Sequence, residues 1–181
     1  MTYTGDPKRL STRSVYRGRI LDLNVDTVQL PNGEAVDLEI IRHRGAAAVV
    51  PVDADGTVWL VRQFRHATDG YLLEVPAGKL DRDEAPETCA AREVEEEVGR
   101  RAGRLEPLGF IWTTPGFTDE RIWLYLARDL TETRQALERD EWLTVEHLPL
   151  EEALRLAEEG TITDAKSVCA LVRAAKKLGL R

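Results

Sequence analysis

The stretch from Gly78 to Arg100, GKLDRDEAPETCAAREVEEEVGR, dictates a helix that must carry crowded negative charge and still pack on a core. Pro86 suits a first-turn position and Gly99 the position just past the end, so the spacing predicts a helix over 86–98. Within it Glu93, Glu96 and Glu97 stand at i, i+3 and i+4 and project from one face. Ala91, Val94 and Val98 share a different stripe, which suits packing against a core. The Glu93–Glu97 pair repels by roughly 0.2–0.5 kcal/mol. A multivalent cation turns that repulsion into a binding site.

Carboxylates at this density suit hard divalent cations. Magnesium takes oxygen ligands, keeps several waters, and binds through a few carboxylates plus substrate phosphate. Two such ions about 3.5–4 Å apart can clamp the attacking and leaving oxygens of a phosphoryl displacement. His43, His66 and His147 are scattered, which argues against zinc. A net charge of −7 disfavours nonspecific binding to nucleic acid or an anionic membrane. Bound divalent ions would invert the field locally, so a phosphate substrate stays open. Cys89 and Cys169 provide no disulfide framework and sit in apolar helical contexts, as structural thiols do. Neither an N-terminal export segment nor a membrane-length apolar run is present, so the chain reads as cytoplasmic.

Its 181 residues suit one domain, with or without an appendage. Residues 1–12 are polar and read as loose chain. Leu21, Leu23 and Val25 alternate, as do Val36, Leu38 and Ile40, around Pro31-Asn32-Gly33. Asn-Gly between alternating runs predicts a hairpin. The apolar run Ala46–Val52 predicts a buried strand, followed by strands at Val58–Phe64 and Leu72–Val75. Beyond the acidic helix come strands near Leu105–Trp112, Ile122–Ala127 and Leu143–Val145. Pro149–Glu159 reads as a helix stopped by Gly160, and Thr163 as the cap of a last helix through Leu178. In that last helix Val168, Leu171, Val172 and Ala175 are expected to face inward. The order predicts an α+β layered domain with a mixed sheet and helices on its faces, preceded by an N-terminal antiparallel β unit.

The register of Gly78, Glu84, Arg92, Glu93, Glu96, Glu97 and Gly99 resembles the signature of the Nudix hydrolases; only Arg100 departs, standing where that pattern has an aliphatic residue. The resemblance implies an α-β-α sandwich over residues 45–181. In that family residues at the positions of Glu93 and Glu97 carry divalent metal, with Glu96 contributing, and Glu97 serves catalysis. The carbonyl of Ala77 is a further implied ligand. Magnesium is the implied cofactor, with manganese as the alternative ion. Arg92, one turn from Glu96, reads as its brace, and Glu84 as a support near the helix start. The acidic stretch Glu138-Arg139-Asp140-Glu141 resembles the family loop that closes over the metals, where Glu141 would position the attacking water or a metal.

Thr113-Thr114-Pro115-Gly116-Phe117-Thr118-Asp119-Glu120 resembles the Pro-Gly loop of the ADP-ribose pyrophosphatase branch, with Pro115 sixteen residues beyond Gly99. This implies substrate contacts from Pro115, Gly116 and Glu120. Glu120 would accept from ribose hydroxyls or position water. Val61-Arg62-Gln63-Phe64-Arg65 resembles the branch's strand end, so Arg65 would grip the diphosphate. Glu74-Val75-Pro76-Ala77-Gly78 and Asp164-Ala165-Lys166-Ser167 also resemble it, whereas Leu38 stands where the branch often has Arg. The implied activity is magnesium-dependent hydrolysis of ADP-ribose to AMP and ribose 5-phosphate. The alternatives are another nucleoside diphosphate sugar, such as GDP-mannose or ADP-glucose, and a non-catalytic ADP-ribose-binding sensor. The branch further implies a homodimer through the N-terminal unit, residues 1–44, which shapes the nucleotide pocket with Tyr16 as a stacking candidate.

Overall fold

The chain folds as two units. The structure, a computed structural model, describes residues 6–137, 139 and 141–180. The first unit is the chain up to Arg44 together with Trp112–Arg121; the second is Gly45–Ile111 with the chain from Ile122 onward.

In the first unit, β1 (Lys8–Arg17), β2 (Asp22–Gln29) and β3 (Ala35–Arg42) form an antiparallel sheet in that order. The β2–β3 hairpin closes where Asn32-Gly33 predicts it: Leu30 N–H donates to the Glu34 carbonyl at 2.8 Å, and Gly33 N–H to that of Leu30 at 2.8 Å. The loose segment expected over 1–12 is corrected from Lys8 onward, the first five residues lying outside the described set. Every residue of β1 is exposed, so no apolar alternation marks it. It is a strand because β2 satisfies its backbone, from Lys8 opposite Gln29 to Arg17 opposite Asp22. Thr12 Oγ1 adds a hydrogen bond to the buried Asp26 at 2.8 Å.

The second unit is built on β4 (Ala46–Pro51), β5 (Thr57–Arg65), β6 (Gly70–Glu74), β7 (Ala77–Lys79), β8 (Arg100–Trp112), β9 (Arg121–Glu132) and β10 (Leu143–Pro149). A mixed sheet runs β7-β4-β9-β8, with β4 parallel to β9 and antiparallel to β7; an antiparallel sheet runs β10-β5-β6. The helices are α1 (Pro86–Val98), α2 (Leu150–Glu158) and α3 (Ala165–Leu178).

Strand alternation assigns the layers. Ala46, Ala48 and Val50 of β4 join Leu124 and Leu126 of β9 against Ala153 of α2 and Leu171 of α3. Ala47 and Val49 point the other way, joining Tyr125 and Ala127 against Cys89, Ala90, Val94 and Val98 of α1. The unit is therefore the expected α-β-α sandwich. Leu60, Leu124, Leu126 and Leu171 are fully buried, each contributing about 1.5–3 kcal/mol relative to exposure.

Two helix faces differ from expectation. In α1, Ala91 is exposed, while Glu93 and Glu97 are buried beside Val94 and Val98. In α3 the inward residues are Ser167, Ala170, Leu171, Ala174 and Ala175, and Val172 is 45% exposed. Its cap is Asp164 rather than Thr163, because Asp164 Oδ2 accepts from Ser167 N–H at 3.0 Å. Cys89 is buried and Cys169 half-buried, and neither is in a disulfide. Burial pushes the Cys89 thiol up to about 12, which leaves it inert.

Candidate functional site

Helix α1 starts without a side-chain cap, on Pro86 at its first turn, and ends at Gly99 in the left-handed region, φ 64°. Its last carbonyls are satisfied by the chain after β9. Ala136 N–H donates to Glu96 O at 2.9 Å, Gln135 Nε2 to Glu97 O at 2.7 Å, and Thr133 N–H to Gly99 O at 2.9 Å. Arg100, the departure from the motif, lays its guanidinium 4.1 Å from the Trp59 ring centre. A cation on an aromatic face takes the place of aliphatic packing there.

Arg92 is the hub of the helix face. Its Nε and Nη2 donate to the two carboxylate oxygens of Glu84, both at 3.1 Å, and its Nη1 donates to Glu93 at 2.7 Å and to Glu96 at 2.9 Å. The bidentate pair with Arg92 holds Glu84 below the usual carboxylate range. Glu84 also accepts from Asp81 N–H at 2.9 Å, which ties the turn before α1 to the helix. Glu96 is half-buried with its charge directed to Arg92.

The acidic residues that converge are Glu93, Glu97 and Glu141, with one carboxylate oxygen from each lying within 4.8 Å of the others. Glu138 and Asp140 of the same acidic loop lie outside the described residues. Glu97 is 1% exposed and Glu93 5%. Burial pushes Glu97 up to about 8, and the charges of Glu93 and Glu141 add to the effect. Burial likewise pushes Glu93 up to about 7, against the opposing pull of Arg92. Ala77 is beside this group, its N–H donating to Glu97 Oε2 at 3.1 Å. Gly78 is closer still: a Cβ there would stand 1.8 Å from Glu93 Oε1 and 2.1 Å from its Cδ. The donor set is all carboxylate, and its negative charge is under-compensated. Such a set could hold a hard divalent cation.

Arg65, at the end of β5, donates from Nε and Nη2 to the two oxygens of Glu74, each at 2.8 Å. Glu74 is 1% exposed. In the sequence Glu74 stands out only as part of Glu74-Val75-Pro76-Ala77-Gly78, which resembles the branch. The signal was its place between Leu73 and Val75 in a short apolar strand, where a buried charge requires a cation.

Pro115, Gly116 and Glu120 belong to the first unit. Thr114 to Phe117 is a turn, with Phe117 N–H donating to the Thr114 carbonyl at 3.1 Å. Pro115 occupies the position whose φ proline presets. The segment joins β3 through Ile41 N–H to Phe117 O at 2.8 Å and Asp119 N–H to Ile41 O at 3.2 Å. Glu120 accepts from Thr113 Oγ1 at 2.8 Å and lies 3.3 Å from His43 Nδ1. Asp119 receives His43 N–H at 2.7 Å and Arg42 Nη1 at 3.1 Å. His43 and Asp119 were not picked out by sequence, since their pairing spans more than seventy residues.

Residues 42–171 match the NUDIX domain, and residues 7–38 match the nucleoside diphosphate sugar hydrolase N-terminal domain. The chain is 39% identical over 168 residues to an ADP-ribose pyrophosphatase of Bacillus subtilis, covering 92% of this chain and 91% of the relative. It is equally 39% identical over 168 residues to a methanol dehydrogenase activator of Bacillus methanolicus, with the same coverage. A solved structure of an ADP compounds hydrolase superposes with a TM-score of 0.85 at 26% identity, covering 99% of this chain and 97% of that one.

Proposed function

This chain belongs to the Nudix family, and on that premise we propose that it hydrolyses the diphosphate bond of ADP-ribose with magnesium, releasing AMP and ribose 5-phosphate. The observation that carries the reading is the meeting of three carboxylates, two of them buried, within 4.8 Å. The name of the Bacillus subtilis relative and that of the superposing hydrolase support the substrate class.

Glu93, Glu97 and the Ala77 carbonyl are the residues that would hold the metal, with Glu96 behind them under Arg92. When bound, magnesium, or manganese in its stead, supplies charge neutralisation on the phosphoryl oxygens. Glu141, brought to the cluster from the loop before β10, would orient the attacking water. Arg65 would grip the diphosphate by the edge that Glu74 leaves open. Pro115, Gly116 and Glu120 would contact the sugar.

A second reading is a regulator that binds ADP-ribose without turnover; the Bacillus methanolicus relative is named an activator of methanol dehydrogenase. The intact acidic set, with Arg92 bracing it, speaks for catalysis. Product analysis with purified protein, magnesium, ADP-ribose, GDP-mannose and ADP-glucose separates the readings. The expected result is fastest release of AMP and ribose 5-phosphate from ADP-ribose, with Glu141→Gln lowering turnover on the order of tenfold or more while leaving folding intact. Fastest turnover of GDP-mannose would move the substrate to the broader class. Binding of ADP-ribose with no turnover of any of the three would favour the regulator.

We further propose a homodimer through the N-terminal unit, residues 1–44, in the cytoplasm. Leu10, Val15, Tyr16, Ile20 and Leu21 of that unit are 45–58% exposed, an apolar surface that a second copy would cover. Two cysteines outside any disulfide suit a reducing compartment. Light scattering is expected to give twice the monomer mass; a monomer across a wide concentration range overturns the dimer.

A further inference from the structure

Glu74 is a buried carboxylate that the reaction does not use directly, and two cations from distant parts of the second unit meet on it. Arg65 binds both of its oxygens, and Lys166, at the start of α3, donates from Nζ to Oε2. Lys166 is itself fixed: its Nζ also donates to Asp164 Oδ2 at 3.0 Å, and its side chain is only 11% exposed. Asp164 accepts in addition from Ser167 N–H and Oγ, at 3.0 and 2.5 Å. Ser167 Oγ in turn accepts from Val75 N–H at 2.9 Å, next in sequence to Glu74. The first turn of α3 is thus clipped to the end of β6 twice, once through a neutral hydrogen bond and once through an ion pair.

Charge accounts for why two cations are present. Burial alone would push Glu74 upward, but Arg65 and Lys166 outweigh it and hold it below the usual carboxylate range. A single bidentate arginine would satisfy the geometry of one carboxylate. Were Arg65 the sole cation here, however, the Asp164 charge would be left uncompensated beside the pair, and an approaching anion would meet net negative charge. With Lys166 present, the set of Arg65, Lys166, Glu74 and Asp164 is neutral, and an anion reaches the open edge of Arg65 without net repulsion. The geometry agrees. Arg65 is held by its Nε–Nη2 edge, while Nη1 has no hydrogen-bond partner among the described residues. Its side chain is 39% exposed, against 1% for Glu74. The guanidinium is clamped on one edge and open on the other.

We propose that Lys166 is a positioning residue for phosphate recognition: by offsetting Glu74 and Asp164 it lets Glu74 orient Arg65 without leaving net negative charge beside it. This rests on the reading of Arg65 as a diphosphate contact. Removing the ammonium changes the four-residue set of Arg65, Lys166, Glu74 and Asp164 from neutral to a net negative charge, which repels a diphosphate. The loss is expected in ground-state binding, because Lys166 acts through the charge beside Arg65 rather than on the reacting atoms.

The test compares wild type, Lys166→Met, Lys166→Arg, Arg65→Ala and the Arg65→Ala/Lys166→Met double variant, each as the full chain with magnesium and ADP-ribose. Lys166→Met is expected to raise KM about 3- to 10-fold while kcat moves by less than about twofold, and Lys166→Arg to recover most of the loss. In the Arg65→Ala background, Lys166→Met should add less than about twofold. An unchanged KM in Lys166→Met, or an equal rise in the Arg65→Ala background, overturns the proposal. Should Lys166→Met fail to fold, Lys166→Gln keeps a hydrogen-bond donor without the charge and is expected to show the same KM rise; a wild-type KM there overturns it too. Calorimetric titration with inorganic pyrophosphate repeats the comparison without turnover. Absence of ADP-ribose hydrolysis by the wild type would then sink the proposed function, while equal pyrophosphate affinity in wild type and Lys166→Met would sink the role of Lys166.

Discussion

Gly78→Ala is expected to fold and yet to lose turnover on the order of 10²-fold. A methyl group there would be 1.8 Å from Glu93 Oε1, far inside contact distance. The carboxylate is the end of a flexible side chain, so a surface glutamate would simply swing aside. Glu93 cannot do so cheaply, being 5% exposed and held by Arg92 Nη1 at 2.7 Å. It must leave the group it forms with Glu97 and Glu141, and the proposed metal site would lose a ligand. The stability cost is that of modest overpacking, about 1–3 kcal/mol; the functional cost is larger because a displaced ligand forfeits charge stabilisation worth several kcal/mol. Adding Glu93→Asp, one methylene shorter, is expected to restore part of the activity. Magnesium titration and steady-state rates check both variants. Turnover of Gly78→Ala within twofold of wild type would show that Glu93 is not held in place as described.

Glu97→Gln is expected to abolish turnover, by about 10²-fold or more, and at the same time to stabilise the metal-free protein above neutral pH. Both effects follow from burial. Glu97 is pushed up to about 8 in the folded state, from an ordinary 4.5. The folded protein therefore binds a proton that the unfolded chain releases. The associated stability is fully present below about pH 4.5 and is lost as pH rises through about 8. Glu93, pushed up to about 7, adds to the same slope. Metal-free wild type should melt lower at pH 8.5 than at pH 5, and magnesium should recover the loss at the higher pH. Glu97→Gln carries no charge to bury, so in chelator at pH 8.5 it should melt several degrees above wild type, roughly 1 kcal/mol moving Tm by about 2–4 °C for a chain of this size. It should also gain little from magnesium. A variant that melts below wild type in chelator at pH 8.5 would mean that Glu97 is not buried as a strained anion.

Local signals were read well from sequence, and pairings across the chain were not. Pro86 and Gly99 set the ends of α1 because helix termini obey nearest-neighbour rules, and Asn32-Gly33 closed its hairpin for the same reason. Residues 8–12 of β1 are not legible in the sequence, since an exposed polar strand is one only by virtue of the neighbour it pairs with. Ala91 is expected inside because it shares a stripe with Val94 and Val98. The helix instead turns Glu93 and Glu97 inward and leaves Ala91 outside. Of the candidate site, the motif on α1 was legible as spacing. The meeting of Glu141 with Glu93 and Glu97 depends on where a loop more than forty residues away returns. Lys166 and Glu74 are separated by 92 positions, with no periodicity to relate them.

The segment Trp112–Arg121 leaves the second unit between β8 and β9 and pairs with β3 in the first. The first unit is therefore not a detachable module on the end of the chain: the polypeptide crosses between units three times. A chain begun at Gly45 would strip Phe117 and Asp119 of their Ile41 backbone partners and Asp119 of Arg42 as well. Nor could the N-terminal strands be grafted from one relative to another without carrying this excursion along. Where such chains diverge, the first 44 residues and the ten from Trp112 to Arg121 are expected to travel as one inherited block.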